Sequence, residues 1–299
     1  MKLGLRIEVA TLRGTRHAVP RLAGILKEAR AGATFLFSLG PDHTGRALGS
    51  LPRVPRLKCY GFVALVSGTL LPGADIGKRG ADAMRAVPAE GHEAGILAHD
   101  RVGWLKRIAA AGETWTATAM RRARERYEEI FGIPALTHGA PGWRMNRYAF
   151  RYTQRLGFRH GSDTRGTGPF IPVVRGELVA CPQLPTTLPT LDELLAGGAS
   201  PDEAVQHLLE ASREPPATGH VYAARAEVEG TVFAPALRAL IAGWQALGYQ
   251  VVALREYAAG LDLAHLPRRS VALPAPGADE DPVAAEGEEF LPDASNCDP

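Results

Sequence analysis

Leu3, Leu5, Ile7 and Val9 alternate with Gly4, Arg6, Glu8 and Ala10, the two-residue period of a strand, and the polar residues 11–15 then read as a loop. Residues 16–30, RHAVPRLAGILKEAR, place Val19, Leu22, Ile25 and Leu26 at helical spacing, and ATFLFSLG follows as a second strand. The alternation continues through a helix near residues 80–87, a strand over 92–98, a long helix from about 114 to 131 and a strand over 135–139. Near the end, residues 235–247 are helical and GYQVVALREYAAGL reads as a last strand and a short helix. Repeated strand-helix alternation predicts a mainly parallel α/β sheet or barrel.

Two stretches break this rhythm. Residues 41–79 form an insertion in which Arg46, Arg53, Arg56 and Lys58 precede an apolar segment over 60–71, with Pro52 and Pro55 interrupting any long helix. Cations beside an apolar segment suit a membrane interface, so residues 50–72 are a candidate for peripheral membrane contact. A helix or hairpin covering the barrel mouth is the plainer reading. Residues 267–299 are rich in Pro, Ala, Gly and acid, show no apolar period, and are expected to be a disordered tail to a barrel domain spanning 1–266.

Charge sharpens that division. The 299 residues carry a formal net charge of +2, from 34 basic and 32 acidic residues, but eight acids and no Lys or Arg follow Arg269, leaving a body of +10. Such a body favours an anionic lipid surface or a phosphate-bearing ligand, although an arginine-rich solvated surface has the same sign. No nucleic-acid motif stands out, and no nucleic-acid partner is expected. Cys59, Cys181 and Cys297 lack paired spacing, which argues against a disulfide framework and suits a reducing cytosol. With no charged-then-apolar leader and no apolar run long enough to span a bilayer, the expected location is cytoplasmic, with peripheral contact at the inner membrane face.

Glu8 is the first candidate for chemistry, because α/β enzymes place acids at the carboxyl ends of barrel strands. A salt-bridged or solvated Glu would look the same in sequence. The stretch LGLRIEVATLRGT, followed in order by GHEAGILAHDRVGW, GAPGWRMN, GFRHGSDTRGTGPF, CPQLPTTLPTLDEL and HVYAARAEVEG, resembles the polysaccharide deacetylase (NodB homology) family over about residues 1–262. It is most similar to the branch that deformylates 4-deoxy-4-formamido-L-arabinose on undecaprenyl phosphate. The resemblance implies a distorted (β/α)7 barrel. It also implies amide hydrolysis with a divalent metal such as zinc, which polarises the carbonyl and lowers the pKa of the attacking water, a general base and a general acid.

The residues at the implied positions differ. Glu8 occupies the base position, but the metal-ligand positions hold Ala10, Leu97 and Arg101, and the acid position holds Arg225. Arg144 matches the residue that pairs with the base and is expected to face Glu8. Thr11, Arg13, Trp143, Asp163, Arg165 and Glu227 are the candidate cleft residues, with loop capping the alternative for Asp163 and core packing for Trp143. Ala10 and Leu97 offer no donor atom, and Arg101 sets a permanent cation where a dication would sit. A rebuilt site would draw on Glu8, His92, His99 and Asp100, with Glu8 and His99 the best-placed pair. No Ser-His-Asp or Cys-His constellation is recognisable.

The expectation is therefore a member of this fold that needs no cofactor and has lost the catalytic set. Its arginine-lined cleft, with Arg101, Arg144, Arg165 and Arg225, would bind an anionic sugar or a polyprenyl-phosphate glycolipid. The alternative is an active deformylase or deacetylase that uses Glu8 as base at a non-standard site.

Overall fold

The computed structural model describes residues 1–273 and 283–290. Its first strand, β1 (Lys2–Val9), is buried on both faces apart from Lys2, so Gly4, Arg6 and Glu8 point into the fold and not to solvent. That is the signature of a parallel strand covered on either side. β1 pairs in parallel with β2 (Thr34–Ser38), which continues to β3 (Glu93–Ala98), β4 (Thr137–His138) and β5 (His160–Gly161). On its other flank β1 pairs with β8 (His220–Arg225), and β9 (Gln250–Val252) joins its amino end. The result is a curled, open, seven-stranded parallel sheet flanked by helices, the distorted barrel expected from the sequence.

The helical stripe read from the sequence is the buried one. Val19, Leu22, Ile25 and Leu26 are all buried in the helix Val19–Glu28, where each contributes roughly 1.5–3 kcal/mol by leaving water. The long helix is Glu113–Phe131, closed by Gly132 in the left-handed region at φ 71°. β4 is only two residues long, because Gly139 and Pro141 end the extended run over 135–139 early.

The insertion divides its faces. After Pro55 a helix runs over Arg56–Val66, broken at Gly61 (φ 74°), and buries Cys59, Tyr60 and Ala64 against the body. The other face leaves Leu57 at 62%, Phe62 at 66%, Val63 at 65% and Leu70 at 81% exposed. The segment thus covers the fold on one side and presents bare apolar surface on the other. No helix among the described residues is long and apolar enough to cross a membrane.

The expectation of disorder after residue 266 needs correcting for the residues described. β6 (Ile171–Val174) and β7 (Glu177–Leu178) form a second sheet with β10 (Arg268–Ala272) and β11 (Ala285–Glu289), in the order β11-β10-β6-β7. Backbone pairing and polar anchors hold these strands where apolar period is absent. Glu286 accepts from Thr167 Oγ1 at 2.8 Å and pairs with Arg269 at 2.9 Å, while the Ala284 N–H donates to the Trp143 carbonyl at 2.7 Å. The rest of the expected tail, 274–282 and 291–299, lies outside the described residues.

Candidate functional site

The carboxyl ends of β1 and β8 meet in a buried chain of charges. Glu8, 2% exposed, accepts from Arg6 Nη2 at 2.6 Å on one oxygen and from Arg225 Nη1 at 3.0 Å on the other. Arg225 continues through Nε to Asp192 Oδ2 at 3.0 Å, and its backbone N–H donates to Glu229 at 2.9 Å. Arg6 donates to the Ser162 carbonyl and lies 5.7 Å from the Trp143 ring centre. Burial works against the Arg225 cation, but Asp192 and Glu8 outweigh it and hold its pKa above the usual range. Burial lowers the Arg6 pKa, with Glu8 opposing. Any water approaching Glu8 must compete with two charge-assisted hydrogen bonds.

Arg101 follows immediately. Asp100 caps the helix Arg101–Arg107 by accepting from the Gly103 N–H at 3.0 Å, which fixes Arg101 as its first residue. Arg101 is only 7% exposed, its Nε has no partner, and its guanidinium makes no hydrogen bond or ion pair among the described residues. It lies close enough to Tyr60, Glu227 and Arg144 to shift all three electrostatically.

Two sequence expectations change here. Arg144 does not face Glu8: its Nη1 donates to the Leu105 carbonyl at 3.0 Å, because Arg6 and Arg225 already occupy both Glu8 oxygens. Burial, and then Arg101, depress its pKa. Arg13 is exposed and packs over Gly61 in the insertion, where an added Cβ would stand 3.0 Å from Arg13 Cδ.

The other cleft candidates are brought close, largely as supports. Glu227 accepts from the N–H groups of Ala10 and Thr11 at 3.0 and 2.9 Å and from Thr11 Oγ1 at 2.8 Å, pinning the loop after β1. Gly14 is required beside it, since an added Cβ would stand 2.1 Å from a Glu227 oxygen. Burial raises the Glu227 pKa, and burial with Asp192 pushes Glu229 up to about 8. Asp163 accepts from His138 Nδ1 at 2.6 Å, the Ala140 N–H at 2.8 Å and Gln183 at 3.1 Å, the capping alternative read from sequence. Trp143, held at φ 53°, donates to Thr186 Oγ1 at 3.0 Å and carries the Arg165 guanidinium 4.7 Å from its ring centre.

Sequence reasoning gave no role to Arg6, His138, Ser162 or Asp192. Arg6 was findable, as a charge on the same strand face as Glu8 in an otherwise apolar strand; Asp192, inside LDEL, carries no local signal.

The donor set does not fit a divalent cation. Ala10 and Leu97 offer no lone pair, two of the remaining implied positions hold guanidinium groups, and no group of three or more His, Cys, Asp or Glu among the described residues is placed to hold a metal ion. His99, the proposed partner of Glu8 in a rebuilt site, lies against Gly40, with its pKa lowered by burial.

No family model matches the chain. It is 35% identical over 249 residues, 80% of each chain, to the protein of Shewanella sediminis named "Probable 4-deoxy-4-formamido-L-arabinose-phosphoundecaprenol deformylase ArnD". It is 31% identical over 192 residues, 61% of this chain and 67% of the other, to the protein of the same name from Wigglesworthia glossinidia brevipalpis. Among solved structures, a Mycobacterium smegmatis protein assigned as a polysaccharide deacetylase superposes with TM-score 0.64 at 18% identity, covering 91% of this chain and 94% of that one. A wild-type CE4-family pseudoenzyme of Bacillus anthracis superposes with TM-score 0.53 at 14% identity, covering 86% and 64%.

Proposed function

The chain belongs to the polysaccharide deacetylase (NodB homology) family, and from that premise we propose that it binds an anionic sugar, free or on a polyprenyl phosphate, without hydrolysing an amide. One observation carries the reading: a nine-tenths buried Arg101 without a partner among the described residues, at the carboxyl ends of the strands. Among the described residues its buried Nε lacks an acceptor and its guanidinium a counter-ion, a deficit the fold leaves standing. A phosphate or carboxylate entering beside Arg101 relieves it, and the planar guanidinium suits two-point recognition of either. The Arg6–Glu8–Arg225–Asp192 chain ties β1 to β8 and uses the position implied for the general acid in an ion pair.

The relatives' names supply both the probe and the competing reading, an active deformylase with Glu8 as base. Their formamido-sugar lipid, incubated with this protein with and without added zinc, is expected to bind and to release no formate. Arg101→Met is expected to weaken binding at least tenfold. Zinc-dependent formate release would replace this reading with the enzymatic one, and unchanged binding by Arg101→Met would remove its central residue. Peripheral membrane contact through residues 50–72 belongs to the same reading, supported by the exposed Leu57, Phe62, Val63 and Leu70 beside Arg53 and Lys58.

A further inference from the structure

A cavity of about 500 Å³ opens between the turn Thr44–Ser50, the helix Arg101–Arg107 and the helix Glu113–Phe131, with none of the Glu8 cluster in its lining. Arg46, Lys106, Arg107 and Arg122 surround it, and Trp104 and Trp115 line it with ring centres 6.2 Å apart and planes tilted by 40°. Its one acid, Asp100, is already engaged by the Gly103 N–H at 3.0 Å and by His43 Nδ1 at 3.0 Å. Lys106, Arg107 and Arg122 make no side-chain hydrogen bond or ion pair among the described residues.

That contrasts with the arginines nearby. On the same long helix, Arg124 pairs with Glu128 at 2.8 Å and Arg126 with Glu129 at 2.7 Å and Asp75 at 2.8 Å. Two arginines of that helix are thus neutralised by acids, and the cations around the concave site are not. Like charges gathered without counter-ions repel each other, and aromatic rings at the same place give a flat apolar surface for the C–H face of a sugar or polyol.

We infer that this cavity binds a phosphate ester of a sugar or polyol, the phosphate held by Arg107, Arg122, Arg46 and Lys106 and the polyol against Trp115. The site is separate from the Glu8 cluster and does not rest on the reading of Arg101. Its neighbour is the bare face of the insertion: Arg46 donates to the Gly68 carbonyl, two residues before Leu70. The ester is therefore equally accessible as a soluble sugar phosphate or as a lipid headgroup.

Calorimetric titration with glucose 1-phosphate and cosedimentation with phosphatidylcholine vesicles, with and without phosphatidylglycerol, test the site. The wild type is expected to bind the sugar phosphate, the phosphatidylglycerol vesicles or both, and Arg107→Glu with Arg122→Glu, both exposed, to weaken that binding at least tenfold. Binding of the soluble ester alone identifies a free ligand; binding of the vesicles alone identifies a lipid-borne one. Arg16→Glu with Arg159→Glu, exposed arginines that do not line the cavity, carries the same charge change and is expected to bind as the wild type does. The inference fails if the wild type binds neither probe, if Arg107→Glu with Arg122→Glu binds equally well, or if Arg16→Glu with Arg159→Glu loses the binding as fully, which would make the attraction one of overall charge.

Discussion

The two ends of the barrel sheet each bury a glutamate, and they resolve it differently. At the amino ends, Glu93 accepts from Thr34 at 2.5 Å, from Thr137 and from the Arg255 N–H at 3.0 Å, with His160 Nε2 at 3.5 Å. Burial alone would raise the Glu93 pKa, but the His160 contacts and the two threonine hydroxyls outweigh it and lower it. The donors come from the first residues of β2, β4 and β5, so the cluster ties strand ends together and both carboxylate oxygens are satisfied. At the carboxyl ends, Glu8 is held by two guanidiniums, while a third, Arg101, and the Asp192 Oδ1 atom have no partner among the described residues. The first cluster closes on itself; the second leaves a cation for which the proposed anion would be the acceptor.

The largest effect expected from perturbing either end is that of Arg225→Ala, which leaves Glu8 and Asp192 without their shared cation and should lower the unfolding free energy by about 3–5 kcal/mol in urea titration. Glu93→Gln should lower it by about 1–3 kcal/mol, since the hydroxyl and N–H donors lose a charged acceptor. Glu229 adds a pH dependence. Its carboxyl is pushed up to about 8 in the fold from an ordinary 4.5, so the native state holds a proton that the unfolded chain has released. Its contribution is greatest below that ordinary value and is lost as pH rises towards 8, with a slope of at most about 1.4 kcal/mol per pH unit that Glu229→Gln should flatten. Arg101→Met should have the smallest effect, within about 1 kcal/mol and favourable if anything, because it removes a charge with no counter-ion. A loss from Arg101→Met as large as that from Glu93→Gln would make both clusters structural and erase the contrast.

The legible parts of this molecule were those written in apolar period. The β1 alternation and the Val19–Leu22–Ile25–Leu26 stripe specify buried faces directly, and Ala10, Leu97 and Arg101 declare their chemistry by residue type. What could not be read was where long polar side chains go. Arg144 could reach Glu8 or Leu105; in the fold its Nη1 donates to the Leu105 carbonyl while Arg6 and Arg225 hold Glu8. β11 escaped because an acidic strand anchored by Glu286 and backbone pairing has no hydrophobic signature.

The account turns on Ala10, Leu97 and Arg101 standing where the resemblance implies metal ligands, and zinc per chain measures that directly. Elemental analysis after purification with zinc supplied should give near zero for the wild type and near one for Ala10→Asp combined with Leu97→His and Arg101→His in a folded chain. Near one zinc per wild-type chain would contradict it.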